Sequence, residues 1–367
     1  MNLFELNSAV LKRQANGKTI WQPRIDCWIH DRNFRAEALP GKFAGCDLNG
    51  IYETIGCSNR LYCFNACFSR KYDDTITARR NVLGERLFED IIETPVGTVR
   101  QVMRGNSSNA GTMPVKWYVE NTADLRVFCY IEEHTNYAFH QEMYDLLMLT
   151  NGHLGLPATY MPRVNIQKLL IELCGVENTY YLLYDEPQAV EDYFRVYSKA
   201  QEGFLHAAAA SPFEWVNYGD NLHCKILPPE LLKKYVLPEY EKRAGILRAA
   251  GKFVYAHFDG DFRDYLPLMH HCFLDGFEAL TPLPQGDVTV EEMKAALGNE
   301  LFLVDGIAAL LFSPFYPEAQ LVAQTRQVLE LFEGQLVLGI SDELPSDGLL
   351  ERVELVNDIV DEFNARC

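Results

Sequence analysis

The stretch "FVYAHFDGD" (253–261) runs apolar, β-prone chain straight into His257, Asp259 and Asp261. A strand that ends in ionisable groups either closes in a surface turn or holds those groups at a site. An imidazole two residues before a carboxylate suits metal coordination, through neutral nitrogen and carboxylate oxygen, or acid–base work. The plain alternative for His257 is a core histidine bonded to a backbone carbonyl. Comparable endings recur along the chain. Asp220, Asn221, His223 and Cys224 follow "PFEWVNYG" (212–219), and Gln285 and Asp287 follow "GFEALT" (276–281). Asp305 lies in "LFLVDG" (301–306), while Ser341, Asp342 and Glu343 follow "QLVLGI" (335–340). Arg24 and Asp26 lie in "TIWQPRIDCWI" (19–29). Asp and Ser also cap helices, so Asp287 reads equally well as a turn or cap residue. A lone His223–Cys224 pair is a weak ligand signal.

These residues need elements to hold them. The runs that precede them are apolar almost throughout, as expected of strands buried on both faces. Amphipathic helical stretches alternate with them. "PPELLKKYVLPEYEKRAGILRAAGK" (228–252) opens on prolines suited to a first turn and closes on Gly251, with Pro238 placed to kink or split it. "TVEEMKAALG" (289–298) carries a capping-box spacing from Thr289 to Glu292. Such alternation implies a parallel sheet with helices outside it. With further strands at 19–29 and in "GLPATYM" (155–161), the count fits a TIM-type (β/α)8 barrel. An open doubly wound sheet is the alternative, but no strand–helix junction carries the Gly-rich dinucleotide fingerprint. Residues 30–150, including a hairpin at "ETPVGTVRQVMRG" (93–105), read as an elaboration packed on the barrel, giving one domain over 1–367. Loops after barrel strands form the active-site face. Asp220, His257 and Asp342 are therefore expected to converge in one pocket.

Composition narrows the partners. The 367 residues are 48% hydrophobic and 23% charged, enough for a large core, and the net charge of -18 argues against a surface that tracks nucleic acid or anionic lipid. The N-terminal "MNLFELNSAVLKRQANGK" has no apolar core followed by a cleavage site, and no window is long enough to span a bilayer. The ten cysteines form no C-x-x-C pair. Cys63 and Cys67, four apart, would share one face of a helix, more simply as core residues than as a metal clip. A reducing cytoplasm is the expected compartment.

The runs "LPPELLKKYVLPEYEKRAGILRAAGKFVYAHFDGD", "GFEALTPLPQGDVTVEEMKAALG" and "LVLGISDELP" resemble the uroporphyrinogen decarboxylase superfamily, and within it the branch that includes corrinoid-dependent methyltransferases. The resemblance covers roughly residues 155–365, with "WQPRIDCWI" and "ETPVGTV" as weaker matches upstream. It implies a single α/β barrel. Decarboxylases of the superfamily use no cofactor and hold substrate carboxylates on an arginine-rich N-terminal segment, of which only Arg24 matches here. The methyltransferase branch uses zinc, with a His-x-Cys signature on this strand and a further Cys after the last one. This chain reads His257-Phe258-Asp259 and Gly339-Ile340-Ser341-Asp342, so the histidine matches and both cysteines are replaced. The resemblance adds Asp220 and His223 to His257 as metal candidates.

The expectation is then a methyltransferase moving a methyl group between a small-molecule substrate and a corrinoid on a partner protein, with zinc as cofactor. Asp220, His257, Asp259 and Asp342 are its candidate catalytic residues, and Arg24, Asn221, Gln285, Asp305 and Glu343 its candidate substrate contacts. A cofactor-free decarboxylase acting on a carboxylated substrate such as a tetrapyrrole is the alternative, and a non-catalytic small-molecule binder the third. Relatives are often dimers, so a homodimer stays open.

Overall fold

The computed structural model describes residues 2–367. The N-terminal region contributes β1 (Phe68–Tyr72), β2 (Thr77–Gly84), β3 (Leu87–Thr94), β4 (Gly97–Gly105), β5 (Thr112–Lys116) and β6 (Thr135–Phe139). β2 to β5 form an antiparallel meander, and β1 pairs with β6. The hairpin expected at 93–105 is the β3–β4 unit, closed at the Thr94–Gly97 pair, and its first arm reaches back to Leu87.

The second half builds the core. β7 (Ala158–Met161), β8 (Trp215–Leu222), β9 (Phe253–Phe258), β10 (Gly276–Glu278), β11 (Phe302–Ala308) and β12 (Leu336–Ser341) form one six-stranded sheet whose spatial order follows the chain. Every neighbouring pair in it is parallel. β11 and β12 are buried along their whole length, which explains their unbroken apolar character. The strand order never reverses, so the sheet has no switch point of the kind that defines doubly wound folds.

Two extended segments attach at the ends of this sheet. Trp21 bridges Leu338 of β12 in parallel, and Leu61 bridges Pro157 beside β7. Gln22 N donates to Leu338 O (2.8 Å), and Leu338 N to Ile20 O (3.0 Å). Ser58 N donates to Trp21 O (3.0 Å), tying the two segments to each other.

Several local expectations need correction. The strand expected over 19–29 ends early, because helix Asp26–Phe34 begins at Asp26. Arg24 therefore sits in a connection and Asp26 on a helix. β8 runs later than its apolar residues suggest, so Asp220 and Asn221 belong to the strand rather than to the loop after it. Cys63 and Cys67 do not share a face. They lie in a 3₁₀ turn, Tyr62–Cys67, whose three-residue repeat leaves Cys63 exposed and Cys67 buried. The Pro238 helix does split: Leu232–Val236 is a π turn, and Pro238 enters the first turn of Leu237–Ala249. A proline lacks the N–H for the preceding turn and would clash with the carbonyl four residues back, and the wider π turn relieves both. The Thr289–Glu292 capping box is present.

One glycine couples the sheet to the site. A Cβ on Gly339 of β12 would run into the Asp305 carboxylate on β11, whereas one on Gly245, on an exposed helix face, would meet nothing within 4 Å. Gly339→Ala should therefore lose about 1–3 kcal/mol in urea unfolding. Gly245→Ala should gain up to about 1 kcal/mol from helix propensity. Equal, small effects at the two positions would mean that the β11–β12 contact has room to relax.

Candidate functional site

The polar residues on the parallel strands meet in a buried network around Arg60 and Glu278. Arg60 Nη1 donates to Glu278 Oε1 (2.5 Å), its Nη2 to Asp305 Oδ1 (2.6 Å) and its Nε to Gln22 Oε1 (2.8 Å). Tyr62 Oη also donates to Glu278 Oε1 (2.7 Å). The other oxygen, Oε2, accepts from Asn217 Nδ2 (2.6 Å) and pairs with His257 Nδ1 (2.7 Å). Four donors thus fill the two oxygens of a carboxylate that is 0% exposed. Burial alone would lift the Glu278 carboxyl, but Arg60 and the His257 hydrogen bond outweigh it and hold Glu278 well below the usual carboxylate range. Asp305 responds the other way. Burial and the neighbouring Glu278 charge raise it to about 6 against the pull of Arg60.

This network fixes the state of His257. An ionised Glu278 can only accept, so His257 Nδ1 carries a proton and donates it to Oε2. In the neutral ring the lone pair then sits on Nε2, which is buried and has no hydrogen-bond partner among the described residues. Burial pushes the imidazole down, but the Asp342 and Glu278 carboxylates overcome it and the net shift is upward.

Nε2 points to a ready set of oxygens. His257, Asp259 and Asp342 each offer one ligand atom, all within 4.8 Å of one another. Asp342 Oδ2 lies 3.8 Å from His257 Nε2, while its Oδ1 pairs with Arg24 Nη1. Arg24 Nη2 holds Glu343 Oε1 at 2.7 Å, and Glu343 Oε2 accepts from Cys27 N (3.1 Å). Burial pulls the Arg24 guanidinium down, but Asp342, with Tyr160, Glu278 and Glu343 behind it, outweighs burial and holds the group above its ordinary value. Beside the cluster opens a cavity of about 380 Å³ whose wall includes Arg24, Tyr160, Arg163, Asn221, His257 and Asp342. One imidazole nitrogen and two carboxylate oxygens, with a bare nitrogen otherwise orphaned, fit a divalent metal with coordination positions left for substrate.

The remaining candidates divide. Asn221 reaches the cavity wall. Asp220 does not: it is fully buried, with Oδ1 accepting from Val164 N (2.9 Å) and Oδ2 from Tyr240 Oη (2.6 Å). Asp220 therefore anchors the turn after β7, and of the expected trio only His257 and Asp342 share the cavity. His223 stands outside the ligand cluster, with Nδ1 accepting from Lys225 N (3.2 Å) and its ring packed against Gly260. Gln285 Oε1 accepts from Leu310 N (3.0 Å), a loop contact. Asp305 serves Arg60, and Glu343 serves Arg24. Asp287 caps the turn that starts at Arg263, accepting from Phe262 N and Arg263 N. Glu278, Arg60, Tyr62 and Asn217 escape the pattern reading of the sequence. A usable signal existed for two of them: Glu278 in "GFEAL" and Asn217 in "WVNYG" interrupt strands buried on both faces, where an unpaired polar group is costly.

No family model matches the chain, and no curated protein matches it in sequence. Its fold does match solved structures. A methyltransferase from Methanosarcina mazei superposes with TM-score 0.50 at 13% identity, over 71% of this chain and 75% of that one. A B12-independent methionine synthase from Shewanella sp. W3-18-1 gives TM-score 0.45 at 10% identity over 86% of each chain. At 13% identity, the likeness to the Methanosarcina mazei structure is one of fold alone. Among the described residues, no helix is long and apolar enough to cross a membrane.

The Arg60 network makes a test with an unusual sign. Arg60→Met strands two buried carboxylates and should cost about 3–5 kcal/mol near neutral pH. Without the arginine, burial lifts both carboxyls above their unfolded values. The folded state then binds more protons than the unfolded one, and stability falls as pH rises through the raised pKa values. Urea midpoints of the variant should therefore improve relative to wild type from about pH 7 to about pH 5. A variant that only loses stability on acidification would show that other donors keep both carboxylates ionised.

Proposed function

We propose that the chain is a methyltransferase of the uroporphyrinogen decarboxylase superfamily, with zinc held by His257, Asp259 and Asp342. It would move a methyl group between a small substrate and a corrinoid carried on a partner protein. The scaffold in this reading is a (β/α)8 barrel spanning the chain, with the Trp21 and Leu61 segments as its first two strands. Their parallel bridges to β12 and β7, and the Ser58–Trp21 bond between them, support that closure. The fold likeness to a methyltransferase supports the scaffold only.

The observation that carries the proposal is the bare, buried His257 Nε2 facing two carboxylates while Nδ1 is tied to Glu278. A carboxylate on the far ring nitrogen fixes the tautomer and strengthens the other nitrogen as a ligand. Asp342 is aimed in the same way, since Arg24 occupies one oxygen and leaves the second towards His257. A zinc ion here would supply Lewis acidity to a substrate heteroatom that carries or accepts the methyl group. The chain's own contribution is to orient the ligands, wall the cavity and hold the imidazole proton on Nδ1 against Glu278, so that in the neutral ring Nε2 carries the lone pair.

The decarboxylase alternative finds less support. It needs Arg24 free for a substrate carboxylate, yet both guanidinium ends of Arg24 are taken by Asp342 and Glu343. Asp220 and His223 have no part in the proposed metal set.

Chelator-stripped protein dialysed against zinc should retain one equivalent. His257→Ala should lose that equivalent, together with methyl transfer from methylcobalamin to a thiol panel, with its circular dichroism unchanged. His223→Ala should keep both. Loss of zinc in both variants, or in neither, would contradict this ligand assignment.

A further inference from the structure

A second cavity, of about 320 Å³, adjoins the first. The two share Tyr160, Met161, Pro162 and Glu172 as a common wall. The outer one is walled on one side by the N-terminal elaboration, through β1, β6 and the helix Thr122–Glu133, and on the other by residues between 159 and 204. Its walls are aromatic, with Phe68, Tyr137 and Phe204 among them.

Its polar atoms are unbalanced in a particular way. Glu132, 1% exposed, and Gln201, 4% exposed, each present an oxygen with no hydrogen-bond partner among the described residues. Gln201 spends its amide hydrogens on Glu132 Oε2 (3.3 Å) and Tyr137 Oη (3.0 Å), so both orphan atoms are acceptors. Beside Glu132 stands Arg70, whose Nη2 forms an ion pair with Glu132 Oε1 across 3.6 Å. That separation is too long for a hydrogen bond and leaves the guanidinium donors available. Lys168 and Glu172, also on the wall, pair with each other, and the second oxygen of Glu172 pairs with Arg163 Nε (3.3 Å). The four charged wall residues, Arg70, Glu132, Lys168 and Glu172, sum to zero, so a ligand with net charge would enter uncompensated. A net-neutral ligand that offers donors on one side and acceptors on the other would satisfy every orphan.

We propose that this outer cavity binds the head group of a small zwitterion, its ammonium against Glu132 and Gln201 and its carboxylate against Arg70. The aromatic wall suits the ammonium face. The head-group site stands on its own observations. That a tail extends past Tyr160 towards His257 rests on the proposed function.

Calorimetric titration of the zinc-free protein tests the head-group site by itself. The probes are norleucine, which carries both charges on an alkyl tail, hexylamine, which carries only the ammonium, and hexanoate, which carries only the carboxylate. Norleucine is expected to bind at least about tenfold more tightly than either single-charge probe. Arg70→Met and Glu132→Gln should each weaken norleucine by about tenfold or more. Arg70 is partly exposed, so its variant tests the site even if Glu132→Gln fails to fold. Hexylamine or hexanoate binding as tightly as norleucine, no binding of norleucine at millimolar levels, or undiminished norleucine binding by Arg70→Met would overturn the assignment. Because zinc is absent throughout, failure of the metal reading leaves these outcomes unchanged.

Discussion

The site depends on one saturated carboxylate. Glu278 is buried among four donors, and Arg60 is the strongest of them. Taking an arginine and two carboxylates out of water is expensive, and a well-packed apolar core would often be at least as stable. What the network provides is direction. With Glu278 held ionised, the ring of His257 has only one way to satisfy its Nδ1 proton, and Nε2 is left facing the cavity.

The parallel sheet makes that arrangement rigid. His257 and Glu278 are direct partners in the β9–β10 register, so their side chains leave the sheet on the same face and at one level. Asp305 and Gly339 occupy neighbouring positions on β11 and β12, and the absence of a side chain at Gly339 gives the Asp305 carboxylate its place. Arg60 comes from the segment beside β7 and Gln22 from the segment beside β12. One guanidinium therefore joins residues from opposite ends of the sheet. A change to any one member would be felt by the others, since they share hydrogen bonds.

Much of this frame was legible in the sequence. The six parallel strands announce themselves as short apolar runs between amphipathic helices, and His257, Asp259 and Asp342 stand where such runs end. The misreadings have physical causes. Asp220 looked catalytic because its strand runs past its apolar residues, and its carboxylate is spent on Tyr240 and a backbone N–H. Arg24 does line the cavity, and the carboxylates that hold it there come from the last loop of the chain. Arg60 lies in "CSNRLY", which has neither strand periodicity nor a motif. Only the three-dimensional meeting of distant segments reveals its two carboxylate partners, more than two hundred residues away.

The tautomer of His257 tests the account most directly. Long-range proton–nitrogen correlation spectra of ¹⁵N-histidine-labelled protein, recorded above neutral pH with and without zinc, report which ring nitrogen carries the proton. A proton on Nδ1 is expected in both samples, with a bare Nε2 whose resonance shifts when zinc is added. A proton on Nε2 in the zinc-loaded protein, or an Nε2 resonance indifferent to zinc, would contradict it.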